Sequence, residues 1–132
     1  MGKLKYENIS YRIRSALFEV YNTLGPGFKE SIYHKALTEE LKNKGLKFND
    51  KKRIQIKYKN KSVGIYEPDF IIEDKIIIEI KSVEIMPRVF EKQLYSYLKG
   101  TDNKVGILVN FGADKLEIKR RIYGWAVFII SV

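Results

Sequence analysis

Residues 66–81 constrain this chain more than any other stretch. An apolar run from Tyr66 to Ile72 is interrupted by Pro68-Asp69, and a second run from Ile76 is closed by Glu79-Ile80-Lys81. The Ile76-Ile77-Ile78 segment is apolar on both faces of an extended chain, which fits a strand covered on both sides. Glu73-Asp74 between the runs reads as a turn, so the two strands pair as a hairpin. Residues two apart share a face of a strand. Ile77, Glu79 and Lys81 therefore point one way, Ile76, Ile78 and Ile80 the other, and Asp69 meets Glu79 across the hairpin. Two carboxylates and an ammonium at one edge of a buried sheet are costly unless paired or bound to a metal. Two carboxylates can hold a divalent cation, and a lysine beside them can act on the water or phosphate it binds. The plainer alternatives are a same-face ion pair for Glu79 and Lys81 and a turn role for Asp69 after Pro68.

The rest of the chain supplies the frame. Ile9, Ile13, Ala16, Leu17, Val20, Tyr21 and Leu24 recur at helical spacing and predict an amphipathic helix over 8–24. Gly25-Pro26-Gly27 breaks it. Ile32, Ala36, Leu37 and Leu41 predict a second helix over 29–44, with Gly45 as its stop. The period then changes. Ile54, Ile56 and Tyr58 alternate with Arg53, Gln55, Lys57 and Lys59 as in a half-exposed strand. Asn60-Lys61 turns into a strand over 62–72, and a third follows over 75–81. Pro87 leads into a helix over 88–99, Lys104–Asn110 is a fourth strand, and residues 115–132 read as further β-structure. Short hairpins and one crossover helix imply an α/β fold, a mixed sheet with helices packed on it. The 132 residues fit a single domain.

Charge is unevenly distributed. The net charge is +9, and residues 1–66 carry all of it; the second half is balanced. Nine basic residues and one acid, Asp50, fall in Lys42–Lys61. Such a stretch suits contacts to phosphate, which carry most non-specific nucleic-acid affinity, and Lys51, Lys52, Arg53 and Lys57 are the candidates. The alternative is an ordinary solvated lysine-rich surface. The chain has no cysteine, which excludes disulfides, zinc–thiolate sites and cysteine nucleophiles. The first residues lack the apolar core of a signal peptide, and a cytoplasmic location is the expectation. The uncharged end, Trp125–Val132, is far short of the ~20 residues that span a bilayer, so no membrane is expected. That segment reads as a last strand, an edge that completes the sheet or pairs with a second copy in a homodimer.

Other side chains gain meaning from their spacing. Glu30 and Tyr33 share one face at the start of the second helix, and Gln93 and Tyr97 share one face of the third. Singly each has a plain explanation: Glu30 complements the helix N-terminus, the tyrosines are core aromatics, and Gln93 is surface. His34, the single histidine, reads as a helix surface residue. Taken in order, however, Leu24–Tyr33, the Asp69 and Glu79-Ile80-Lys81 core, Gln93–Leu98 and Lys104–Gly112 make the chain similar to the GxxExxY proteins, a branch of the PD-(D/E)xK nuclease superfamily. The resemblance covers residues 10–122.

The resemblance implies the restriction-endonuclease-like αβββαβ core, here with an extra N-terminal helix and a β-rich C-terminal tail. It implies that Asp69 and Glu79 ligate Mg²⁺ or Mn²⁺ with the Ile80 carbonyl, and that Glu30 completes the site as a helix-borne acid. Lys81 then acts on the water and the phosphate, and Tyr33, Gln93 and Tyr97 support the site. The implied reaction is metal-dependent hydrolysis of a phosphodiester, in DNA rather than RNA. The helix before the glutamine often carries a histidine in this family; here Phe90 stands near that place. Two alternatives remain at this level: a nucleic-acid-binding module that does not cleave, and an accessory protein that needs a partner for substrate choice.

Overall fold

Two helices open the chain because their apolar residues fall on one side. α1 (Glu7–Leu24) buries Ile13, Ala16, Leu17 and Val20. Gly25 ends it with φ +70°, a left-handed value that a residue with Cβ adopts at a cost, and its N–H donates to the Tyr21 carbonyl at 2.7 Å. α2 (Glu30–Asn43) buries Tyr33, Leu37 and Leu41. It stops at Gly45, after which the Leu46 N–H reaches back to the Leu41 carbonyl at 3.0 Å, the six-to-one bond of a Schellman ending. The computed structural model describes residues 6–124.

Among the described residues seven strands and a third helix follow: β1 (Phe48–Asp50), β2 (Ile54–Tyr58), β3 (Lys61–Tyr66), β4 (Phe70–Ile72), β5 (Ile76–Lys81), α3 (Arg88–Gly100), β6 (Val105–Asn110) and β7 (Glu117–Ile122). Five of the strands form one sheet in the order β1-β4-β5-β6-β7. β5 and β6 run parallel, joined through α3, and the other neighbours are antiparallel. β2 and β3 form a separate two-stranded ribbon.

The isoleucine run behaves as a central strand. Ile76, Ile78 and Ile80 pack with α1 and α2 on one face, alongside Phe70, Ile72, Val105, Ile107 and Val109. Ile77 packs on the other with Leu94 and Leu98 of α3, Leu108, Ile71 and Tyr66. The α/β class and the mixed sheet with helices packed on it agree with the sequence expectation.

Three expectations need correction. The strand predicted over 62–72 is two strands in different sheets. Glu67-Pro68-Asp69 breaks it, since Pro68 has no N–H for a ladder, and the chain leaves the ribbon to join the main sheet. β1 was not anticipated; three residues with a half-exposed pattern give periodicity too little to act on. The ribbon turn lies at Lys59-Asn60, both with positive φ (48° and 69°), one residue earlier than Asn60-Lys61. The Glu73-Asp74 turn falls where predicted, with φ of 54° and 57°. The expected strand pairing of Trp125–Val132 lies outside the described residues. Among the described residues no helix is long and apolar enough to cross a membrane.

Candidate active site

β4 and β5 are antiparallel with Phe70 opposite Ile78. The start of β4 therefore lies beside the end of β5, which brings Asp69 to Glu79. The Ile80 N–H donates to Asp69 Oδ2 at 2.7 Å. The two carboxyls are close enough to hydrogen-bond, and burial pushes Glu79 up to about 7. The Tyr66 hydroxyl bond and the Lys81 charge oppose that rise, while the charge and hydrogen bond of Asp69 add to it.

Each carboxylate is held from one side. The buried Tyr66 hydroxyl donates to Glu79 Oε2 at 2.6 Å. Its ring stacks on Tyr97 of α3 at 3.7 Å, 3° from parallel. Burial and the neighbouring Glu79 keep Tyr66 neutral, raising it far above the ordinary phenol value. Lys81 Nζ lies 4.4 Å from the centre of the Phe90 ring, so the lysine sits against the first turn of α3. Gln93 is exposed, and helical spacing places it on the α3 stripe between Phe90 and Tyr97.

The segment leaving β5 is clamped. Asn110 is fully buried and pairs with Lys81 in the parallel register. Its side-chain oxygen accepts from Val83 N and Gly112 N, both at 3.0 Å, and its amide donates to the Val83 carbonyl at 2.9 Å and to Glu117 at 2.7 Å. A Cβ on Gly112 would stand 2.3 Å from Val83 N, so only glycine lets the two backbones meet. Ser82 Oγ donates to the Phe28 carbonyl at 2.6 Å, which ties the loop before α2 to the same place.

The remaining sequence candidates divide. Glu30 is exposed in the first turn of α2, one turn from His34, but among the described residues no three His, Cys, Asp or Glu side chains converge to hold a metal. Tyr33 is fully buried, stacked on Phe111 at 4.5 Å, with its hydroxyl donating to the Gly25 carbonyl at 2.5 Å. It supports the loop before α2 from within the core. His34 is not a surface residue: it stacks on Phe70 at 4.3 Å, and Nε2 lies 3.0 Å from Asp50 Oδ1 and 3.3 Å from the Asp69 carbonyl. Helical periodicity missed this because β1, which carries Asp50, was not foreseen. Lys51 N also donates to the Asp69 carbonyl, at 3.2 Å, so Lys51, Lys52 and Arg53 lie beside the site. Arg53 is 3.8 Å from Glu67, an exposed pair of little energetic weight. Lys57 lies on the ribbon. Tyr66 and Asn110 are the residues the sequence did not single out for a role. Tyr66 lies three before Asp69, and Asn110 ends a strand of otherwise apolar residues.

A family model described as the PD-(D/E)XK nuclease superfamily matches residues 7–121. The chain belongs to that superfamily. Among solved structures it is similar to the crystal structure of SSO0001 (18% identity, TM-score 0.53, covering 92% of this chain and 81% of that one). It is also similar to an alkaline exonuclease, LHK-Exo, from Laribacter hongkongensis (11% identity, TM-score 0.54, covering 97% and 75%). At these identities the likeness bears on fold. No curated protein matches the sequence.

The donor set suits a hard divalent cation. It consists of oxygens alone, with Glu79 Oε2 and Asp69 Oδ2 held by Tyr66 and the Ile80 N–H. Magnesium and manganese favour such oxygens.

Proposed function

We propose that this protein is a metal-dependent nuclease of the GxxExxY type that hydrolyses phosphodiester bonds, with DNA as substrate. The juxtaposition of Asp69, Glu79 and Lys81 at the end of a buried central strand carries this reading. Asp69, Glu79 and the Ile80 carbonyl would hold Mg²⁺ or Mn²⁺. When bound, the cation lowers the pKa of a water and offsets charge on the phosphate.

The chain's own groups do the rest. Lys81 places a positive charge where the phosphate gains negative charge, and the Phe90 ring limits where its ammonium can lie. Tyr66 fixes the Glu79 carboxylate and the Ile80 N–H fixes Asp69, so neither must reorganise when a ligand arrives. Asn110 holds the backbone after Lys81. Glu30, at the start of α2 just after the Phe28 loop tied to Ser82, would act on the substrate side of the site, and Gln93 would contact the substrate backbone from α3. Lys51, Lys52, Arg53 and Lys57 would neutralise phosphates.

The test is cleavage of labelled linear, circular, branched and single-stranded DNA and RNA with Mg²⁺, Mn²⁺ or EDTA, beside Asp69→Asn and Lys81→Ala. Metal-dependent cleavage lost in both variants is expected, with binding retained by Asp69→Asn. Cleavage by Asp69→Asn at the parent rate would overturn the site assignment. Salt-sensitive binding without cleavage of any substrate would favour the non-cleaving module.

A further inference from the structure

The β2–β3 ribbon stands outside the main sheet, and apart from Lys57 and Tyr66 its residues have no part in the site above. One face is committed: Ile54, Ile56 and Tyr66 pack toward α3. The other is open. Val63 is 62% exposed and Ile65 49%, and at the tip Tyr58, on the same side of β2 as Ile54 and Ile56, is 62% exposed. Around them lie Lys57, Lys59 and Lys61, and from Lys51 to Tyr66 the chain carries no acid. Lys59 leans over the Tyr58 ring, 5.3 Å from its centre. The turn at Lys59-Asn60 keeps the arm narrow, with Tyr58 facing Lys61 across it.

The arm is continuous with the site. β3 ends at Tyr66, which binds Glu79, and Asp69 follows three residues later. At a rise of about 3.3 Å per residue, the tip lies roughly 17 Å along the strand from Tyr66.

We infer that this ribbon is a groove-inserting arm that selects double-stranded DNA as the substrate of the neighbouring site. Two strands about 4.8 Å apart, with their side chains, fit a B-form major groove about 12 Å wide. The A-form major groove of double-stranded RNA is too narrow for side chains to read. The lysines reach phosphates on both walls, while Val63 and Ile65 offer aliphatic contact to base-edge methyl groups. Single-strand binding needs a series of rings on which successive bases stack. The ribbon exposes one, Tyr58, at its tip.

The inference rests on the nuclease reading for its substrate class, yet its test is independent of cleavage. Fluorescence anisotropy in EDTA, from 50 to 200 mM salt, would compare a DNA duplex, its single strand and the matching RNA duplex. The variants are Lys57→Gln/Lys59→Gln/Lys61→Gln, Val63→Ser/Ile65→Ser, and a control, Lys35→Gln/Lys115→Gln/Lys119→Gln, with exposed lysines elsewhere. All three replace exposed side chains, and melting curves check folding. The parent should prefer the DNA duplex. The ribbon lysine triple should flatten the slope of log K against log salt by about 2–3 for the duplex, and the serine pair should weaken duplex binding while leaving single-strand binding unchanged. The control should keep the parent slope. An unchanged slope in the ribbon triple, equal losses on duplex and single strand, or tighter parent binding to single strands or RNA would overturn the arm. Ribbon-dependent duplex binding by a protein that cuts nothing would support the arm and remove the nuclease reading. Cleavage with ribbon-independent binding would do the reverse.

Discussion

Replacing Tyr66 with Phe removes one oxygen and leaves the ring stacked on Tyr97. In the metal-free protein that oxygen donates to Glu79 at 2.6 Å in a buried setting. A hydrogen bond to a charged group is worth about 1.5–3 kcal/mol, and leaving the carboxylate without it exposes its burial cost. The 132 residues, at about 2.1 cal/mol/K of unfolding entropy each, make a loss of about 2 kcal/mol equal to a fall in Tm of roughly 7 °C. The measurement is calorimetric melting in EDTA at pH 8, where Glu79 is ionised. At pH 5 the carboxyl is protonated and the bond joins neutral partners, so the gap to the parent should shrink to about half. Titration calorimetry with Mn²⁺ supplies the second readout: affinity should weaken about 10–100-fold, the usual effect of removing a group that orients a metal ligand. A Tm within 2 °C of the parent at pH 8, with an unchanged Mn²⁺ affinity, would refute the claim that Tyr66 presents Glu79 to the cation.

The acid pair also sets a pH dependence. Glu79 is raised to about 7, so between about pH 4.5 and 7 the folded state binds more protons than the unfolded one. Stability in EDTA should therefore be greatest below that window and fall as pH rises through it, by on the order of 3 kcal/mol from this group; urea denaturation of the parent and Glu79→Gln checks this, the variant losing that slope. Asn110→Ala removes the polar clamp from a fully buried position and should cost about 3 kcal/mol, read as a lower urea midpoint, while reducing cleavage through the backbone after Lys81. Gly112→Ala puts its Cβ against the Val83 backbone and should cost at least as much. A melting point equal to the parent's would contradict that close approach. Phe90→Ala should lower kcat more than it raises KM, because the ring lies against Lys81, the residue proposed to act at the phosphate.

The sequence by itself determined the helices, the central strand and the pairing of carboxylates. Each follows from a short-range regularity: a 3.6-residue apolar period in 8–24 and 29–44, a strand apolar on both faces at Ile76–Ile78, and a two-residue turn that sets Asp69 against Glu79. The tertiary structure alone decided what surrounds them. It split the run at Pro68 into a ribbon and a sheet strand, because a residue without an N–H can end a ladder but cannot say which sheet the chain joins next. It turned His34 inward, because a helix face is buried only if another element covers it, and here Asp50 and Phe70 came from distant strands. It gave Tyr66 and Asn110 their partners across 13 and 27 residues. Hydrogen bonds of that range leave no periodic trace in a sequence, since they depend on distances set only once the sheet has assembled.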